Sequence, residues 1–335
     1  MEKVYLSTVT PVYQGAAYLR DLCAELAALK NALAEEGGPL ELLEAIFVND
    51  SAVDDSPEVL AELQAVYPWV KAVHLSRNFG QHPATVAGIL HSSGDWVATL
   101  DEDLQHHPKH LIPLLVQAIS RHHDVVYANA AGAVHQTFFR NASSRLYKAM
   151  VSWMVGNPRV RQFSSFRLMR GSIARAAASV STHDTYFDVV LSWFTNRVGT
   201  LLLPLVDVRS MTTGKSGYNF RALLHHARRM LISSEIKPLR LGATIGMATL
   251  AASLILSIWV LFLKLLHPER IQVRGWTSLI LAIAFFGGLA ALLIGIAIEY
   301  LSALLVHAHG RPTFFVIDRS KDKLLAPLVA KHGTK

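Results

Sequence analysis

Two stretches near the end of this chain, residues 241–263 and 276–298, carry no charged side chain across 23 positions each. At about 1.5 Å of rise per residue, a helix of that length covers the roughly 30 Å hydrocarbon core of a bilayer. To sit inside a water-soluble protein, two such helices would need apolar neighbours around their whole circumference. They read instead as a membrane hairpin, residues 239–306. Its linker, "KLLHPERIQVRG" (264–275), holds three basic residues and one acid, whereas 209–240 holds seven Lys or Arg and 307–335 holds six. The more basic flanks stay in the cytoplasm, which leaves the linker outside. The first residues, "MEKVYLSTVTPVY", lack a basic region followed by an apolar stretch and so read as no signal peptide. An integral membrane protein with both termini cytoplasmic, of the bacterial inner-membrane kind, is the expectation.

Composition agrees. The formal charge is +7, an excess that suits nucleic acid, a membrane surface or an anionic substrate. Hydrophobic residues make up 51% of the chain and concentrate toward the C-terminus, which favours the membrane and argues against nucleic acid. Cys23 is the single cysteine, so no intrachain disulfide can form; it lies in the helical pattern "YLRDLCAELAAL" and reads as core packing.

Residues 1–130 alternate short β-rich runs with helical ones. Strands are predicted at 4–9, 42–48, 70–76, 96–100 and 124–128, and helices at 18–36, 56–67, 83–93 and 108–120. That alternation predicts an α/β fold, a Rossmann-like, mostly parallel sheet wound on both faces. Beyond it, 163–170 reads as a short strand or loop, 184–198 as a helix and 199–208 as a strand. Residues 219–233, "NFRALLHHARRMLIS", put Phe220, Leu223, Leu224, Ala227 and Leu231 on one face with arginines around the rest. A basic amphipathic helix beside an apolar span is expected to lie in the membrane interface. The division is therefore a catalytic domain 1–215, an interface helix 216–238, the hairpin 239–306 and a basic tail 307–335 on the cytoplasmic surface.

In doubly wound sheets, ligands bind beyond the carboxyl ends of the strands. Asp50 follows the second predicted strand and "LDEDLQHHP" (100–108) the fourth. Asp-x-Asp at a strand's end suits a hard divalent cation such as Mg²⁺, which takes one or two carboxylates plus substrate phosphates. In an extended segment Asp101 and Asp103 share a side, Gln105 continues it, and Glu102 faces away. An acid-rich helix start is the lesser alternative for the triplet. His106, His107 and His110 raise zinc as a rival, but Pro108 intervenes and no fourth ligand is evident. Arg77 in "RNFGQ" either meets a phosphate bidentately or is a surface arginine. Arg140 and Arg167 are further anion-binding candidates, and "TTGKSGY" (212–218) is a donor-rich loop without Walker spacing.

The segments "TPVYQGAAYL", "VNDSAVDDS", "LSRNFGQHPATVAGI", "GDWVATLDEDLQHHP", "SFRLM" and "GKSGYNFRALL", followed by the apolar hairpin, resemble the polyprenyl-phosphate glycosyltransferases over nearly the whole chain. These are inverting enzymes of the GT-A fold, relatives of dolichol-phosphate mannose synthase and of bacterial undecaprenyl-phosphate glucose and aminoarabinose transferases. The resemblance implies a nucleotide-sugar donor, a polyprenyl phosphate acceptor, Mg²⁺ or Mn²⁺, and in some relatives a homo-oligomer. By the same resemblance, Pro11, Val12 and Tyr13 line the base pocket and Asp50 bonds the base. Asp101 holds nucleotide and metal, Asp103 and Gln105 ligate the metal, and Arg140 and Arg167 grip phosphate. Ser216 and Tyr218 sit on the closing loop. Departures from the pattern are Gln14-Gly15 where Asn-Glu is frequent, Met211 where the loop arginine usually lies (Arg209 is two residues upstream), and Gly217 for a frequent lysine. Two other functions remain open from sequence: a glycan polymerase of the same fold, which would need more membrane crossings, and a non-catalytic nucleotide-sugar-binding membrane protein.

Overall fold

The computed structural model describes residues 2–130, 163–182, 185–204, 237–266, 275–308 and 320–332. The chain divides into two units, one built on a sheet and one on two long helices.

In the sheet unit, β1 (Val4–Val12), α1 (Leu19–Glu36), β2 (Leu40–Asn49), α2 (Ser56–Val66), β3 (Val70–His74), α3 (Gln81–Leu90) and β4 (Trp96–Thr99) follow in order. A 3₁₀ turn (Pro108–His110) then leads into α4 (Leu111–Ser120), β5 (Val125–Ala130), β6 (Arg167–Arg170), α5 (Gly171–Val180), α6 (Phe187–Phe194) and β7 (Val198–Leu203). The strand order is β3-β2-β1-β4-β6-β5-β7. All pairings are parallel except those of β6, which runs antiparallel to both β4 and β5. The predicted mostly parallel sheet is thus present, with the antiparallel β6 added to it.

Each element follows from its sequence. The inner strands are β-branched and buried on both faces, as strands covered by helices on both sides must be. In α1, Leu19, Leu22, Cys23, Leu26 and Leu33 form one buried stripe. Its end is a left-handed Gly37 (φ 64°) whose N–H returns to the Ala34 carbonyl. One face of the sheet is packed by α1, α2 and α4, the other by α3, α5 and α6. Helix α3 approaches especially closely: a Cβ on Gly88 would stand 2.4 Å from a methyl of Val9.

Sequence reading leaves 307–335 as a basic surface tail. In the structure, a 3₁₀ segment (Ser320–Leu325) and α9, preceded in chain order by the long helices α7 (Lys237–Leu266) and α8 (Trp276–Ala308), ends the described chain; α9 is Ala326–His332. Leu325 and Leu328 are buried in the same core as α1 and α4. Both carboxylate oxygens of Asp322 accept from Arg170, at 2.9 and 2.8 Å, Lys321 meets Asp95 at 3.1 Å, and Lys331 meets Glu36 at 2.6 Å. Arg170 pairs with Trp96 at the start of β4, so this anchorage is at the amino edge of the parallel strands.

In the other unit, α7 and α8 pack along each other, with Gly288 against Leu250 and Ser253. Residues Met247–Leu266 and Trp276–Ile298 are long and apolar enough to cross a membrane. Within this unit their apolar side chains face outward: Ile255, Ile258 and Phe286 are all more than 60% exposed.

Candidate active site

The strand order reverses direction at β1: β2 and β3 lie to one side and β4 to the other. Loops leaving neighbouring strands on either side of such a point diverge and open a crevice. A cleft of about 310 Å³ occurs there. Its walls are Pro11 and Val12 at the end of β1 with Tyr13 and Gln14 just after it, Asp50 after β2, Asn78, Gly80 and Gln81 after β3, and Asp101, Glu102 and Asp103 after β4. Sequence reasoning and structure therefore agree in bringing Pro11, Val12, Tyr13, Asp50, Asp101 and Asp103 to one crevice.

The two acidic loops are built differently. Asp50 is buried, and its two oxygens accept the N–H groups of Phe79 and Gly80, each at 2.7 Å. Gly80 has φ 95°, a conformation that side-chain-bearing residues resist. Asp50 thus shapes the "RNFGQ" turn, beyond any contact with a base that sequence suggests. Arg77 is not in the cleft wall; it is exposed, with its guanidinium 4.1 Å from the Phe79 ring centre. The turn delivers Gln81 instead, whose amide donates to Asp101 Oδ1 at 2.8 Å.

Asp101 receives a second hydrogen bond from Ser165 Oγ at 3.1 Å. Both donors are neutral, so they orient the carboxylate without cancelling its charge. Asp103 accepts from the Gln105 backbone at 3.2 Å and side chain at 3.1 Å. The intervening Leu104 has φ 61° and Ser51, beside Asp50, has φ 55°. Backbone strain at non-glycine residues gathers at functional sites.

His106 is buried, stacked on Phe166 with ring centres 4.7 Å apart. Its Nδ1 accepts the Asp101 N–H at 3.0 Å, so in the neutral ring the proton sits on Nε2. Burial lowers its pKa, against the pull of Asp101 and Asp103. His107 Nδ1 accepts from the Lys109 N–H. Among the described residues no group of three His, Cys, Asp or Glu side chains forms a metal cage. What the cleft provides is two carboxylates on one loop, a donor set that fits Mg²⁺ or Mn²⁺ when substrate phosphates complete the shell.

Two sequence expectations meet a different geometry. Glu102 does not face away; it is buried and accepts the N–H groups of Tyr13 at 2.8 Å and Gln14 at 3.2 Å. Arg167 is not in the cleft wall. It is 2% exposed, ion-paired with Asp188 and 4.9 Å from the Phe187 ring centre. Tyr127 donates to the same Asp188 at 2.8 Å. Burial opposes the Arg167 charge, but Asp188 more than restores it and the pKa lies above the ordinary value. In the structure Arg167 ties β6 to α6 through Asp188 and does not line the cleft. Arg140, Ser216, Tyr218, Arg209 and the amphipathic stretch 219–233 lie outside the described residues.

The family model for glycosyl transferase family 2 matches residues 7–179, just over half the chain. The chain belongs to that family. Similar proteins include the bactoprenol glucosyl transferase of Shigella phage SfV, 28% identical over 86% of this chain and 92% of that one. The undecaprenyl-phosphate 4-deoxy-4-formamido-L-arabinose transferase of Edwardsiella ictaluri (strain 93-146) is 27% identical over 93% of both chains. A solved glucosyl-3-phosphoglycerate synthase from Mycobacterium tuberculosis is a loose match, 14% identical with a TM-score of 0.45 over 69% of this chain and 77% of that one, and bears no weight for this site. The family 2 glycosyltransferase therefore carries its matched region on β1 to α5, which includes every wall of the cleft.

Proposed function

We propose that this glycosyltransferase moves a sugar from a nucleotide-sugar, UDP-linked, to the phosphate of a membrane polyprenyl phosphate, with inversion at the anomeric carbon. The observation that carries the reading is the pair Asp101 and Asp103 on one loop of a cleft at the sheet's switch point. The acceptors in the names of the SfV and Edwardsiella relatives, which match most of this chain, support a polyprenyl phosphate.

The donor's base enters between Tyr13 and the Asp50-shaped turn, and its diphosphate points at Asp101 and Asp103. Asp101, Asp103 and Gln105 would hold Mg²⁺ or Mn²⁺, whose charge stabilises a departing diphosphate. The acceptor phosphate oxygen is already anionic at neutral pH, so the chain need supply no strong base. That oxygen attacks the anomeric carbon opposite the diphosphate; the new carbon–oxygen bond forms as the old one breaks, and configuration inverts. Arg140, on the segment between β5 and β6, remains the candidate cation for acceptor or leaving phosphate.

The acceptor's location follows from α7 and α8. Their outward apolar side chains support a bilayer-spanning hairpin, and 216–238 belongs to this reading as an interface helix. Ser320–His332 is folded onto the same sheet unit whose chain precedes α7. A chain that leaves a domain through a bilayer and returns to it crosses an even number of times. This supports two crossings, with the catalytic domain and the C-terminus on one side, the cytoplasm. Tethering the cleft to the surface where the lipid phosphate emerges replaces a three-dimensional search with proximity.

The test is transfer from a panel of radiolabelled nucleotide-sugars to undecaprenyl phosphate in membranes carrying the protein, read as label entering the lipid phase. Wild type should transfer at least one sugar. Asp103→Ala should lower the rate by about 10²-fold or more, the scale of losing a main electrostatic stabiliser. Transfer that persists undiminished in Asp103→Ala would remove the metal assignment.

A further inference from the structure

The acidic triplet at 101–103 contains one carboxylate the proposed reaction does not use, and the loop contains one imidazole it does not use. We propose that Glu102 and His106 are positioning residues: they brace the Asp101–Gln105 loop from two sides and lock the carboxylates to the base-pocket wall.

The Glu102 brace rests on three observations. Glu102 is buried, 8% exposed. It accepts backbone N–H groups of both Tyr13 and Gln14, residues of the cleft wall. Gly15, next in line, leaves the room for it: a Cβ there would stand 2.8 Å from Glu102 Oε2. The loop after β1 and the loop after β4 are thereby tied by charge-assisted bonds, which are shorter and stronger than neutral ones. β4 ends at Thr99 and the chain is turning at Glu102 and Asp103, so Glu102 reaches the loop after β1 from the same cleft wall as the two aspartates.

The His106 brace acts on the other side. Its Nδ1 takes the Asp101 N–H, and its ring is fixed by stacking on Phe166, the residue just before β6. The backbone at Asp101 is therefore pinned to the far strand while its side chain is oriented by Gln81 and Ser165. Both hold backbone N–H groups, Glu102 those of Tyr13 and Gln14 and His106 that of Asp101, and so act on the donor through the loops they fix.

This inference rests on the reading of the cleft as a nucleotide-sugar site, and binding separates the two. Calorimetry of UDP with Mn²⁺ is run on the purified full-length protein in detergent. Wild type that binds no UDP with Mn²⁺ sinks the proposed function and the braces with it. Given wild-type binding, Glu102→Ala and His106→Leu should each weaken affinity about tenfold, the scale of losing one to two hydrogen bonds involving a charged group or a loop anchor. Gly15→Ala should reproduce part of the Glu102→Ala loss, because its methyl intrudes on the same contact. The decisive comparison is His106→Asn against His106→Gln. An Asn amide oxygen stands near the place of Nδ1, and a Gln oxygen near that of Nε2, so Asn should restore affinity to within about threefold and Gln should not. Wild-type affinity in both Glu102→Ala and His106→Leu overturns the proposal. So does equal behaviour of the Asn and Gln variants, both verified as folded by their thermal transitions.

Discussion

Replacing Asp188 by Asn decides what Arg167 is for. Both residues of the pair are 2% exposed, and Tyr127, at 1%, leans on the same carboxylate through its hydroxyl. Burial first, and then the Asp188 charge, push the Tyr127 hydroxyl well above its ordinary pKa, so it stays a neutral donor across the working range. Asn at 188 keeps an acceptor oxygen for Tyr127 but leaves the guanidinium of Arg167 buried without a counter-charge. Removing one partner of a buried ion pair costs about 3–5 kcal/mol, much of it the desolvation of the charge left behind. For a domain of 150–250 residues, each kcal/mol shifts the melting temperature by about 2–4 °C. The expected drop is therefore about 6–20 °C, read by intrinsic fluorescence, to which Trp69, Trp96 and Trp193 of the sheet unit contribute. The double replacement Arg167→Met with Asp188→Leu should recover much of the loss, because it removes the stranded charge and keeps the volume. Well below the variant's transition, the KM for the sugar donor should change by less than about threefold, since neither side chain lines the cleft. A variant that melts within about 3 °C of wild type but shows a large rise in donor KM would refute this reasoning and return Arg167 to the phosphate.

Burial pushes the Cys23 thiol up to about 11, so at pH 8 the native protein should not react with a thiol-specific chromogenic reagent, and the denatured protein should release one equivalent. Prompt labelling of native protein would mean that α1 opens readily. Glu44 is buried, which alone raises its pKa, but Lys71, the Ser93 N–H and Ser7 outweigh burial and hold it below the ordinary value of 4.5. A depressed folded pKa contributes stability that is fully present above the unfolded value and lost as pH falls through the folded one. Melting temperature should therefore fall as pH drops below about 4.5, and Glu44→Gln should flatten that part of the profile at the price of lower stability at pH 7.

How much of this was written in local sequence is uneven, and the reason is physical. The crevice was legible because its chemistry sits at strand ends. Asp50 and Asp101 each follow a run of apolar, β-rich residues, and parallel strands deliver such residues to a common edge regardless of what pairs with what. The long apolar helices were legible because 23 uncharged residues admit few environments. The antiparallel β6 was not, since four residues of "RLMR" state no direction; that is fixed by pairing with β4 and β5.

Arg167 and Glu102 fail for a shared reason. A charged residue beside apolar ones looks the same whether it lines a cleft or is neutralised within a core, and the distinction belongs to its partner. Asp188 lies 21 residues from Arg167 in a different element, and Tyr13 lies 89 from Glu102. Alternation along an extended strand would have sent Glu102 away from the cleft, but β4 ends at Thr99 and the chain is already turning at Glu102 and Asp103. The tail 320–332 is the same case at longer range: Asp322 meets Arg170 at a separation of 152 residues, across the whole membrane hairpin in sequence. Charges that act on ligands can be found where the chain changes from strand to loop. Charges that hold such loops in place are found only when both ends of the contact are known, which is why the carboxylates offered to a cation were recognisable and their braces were not.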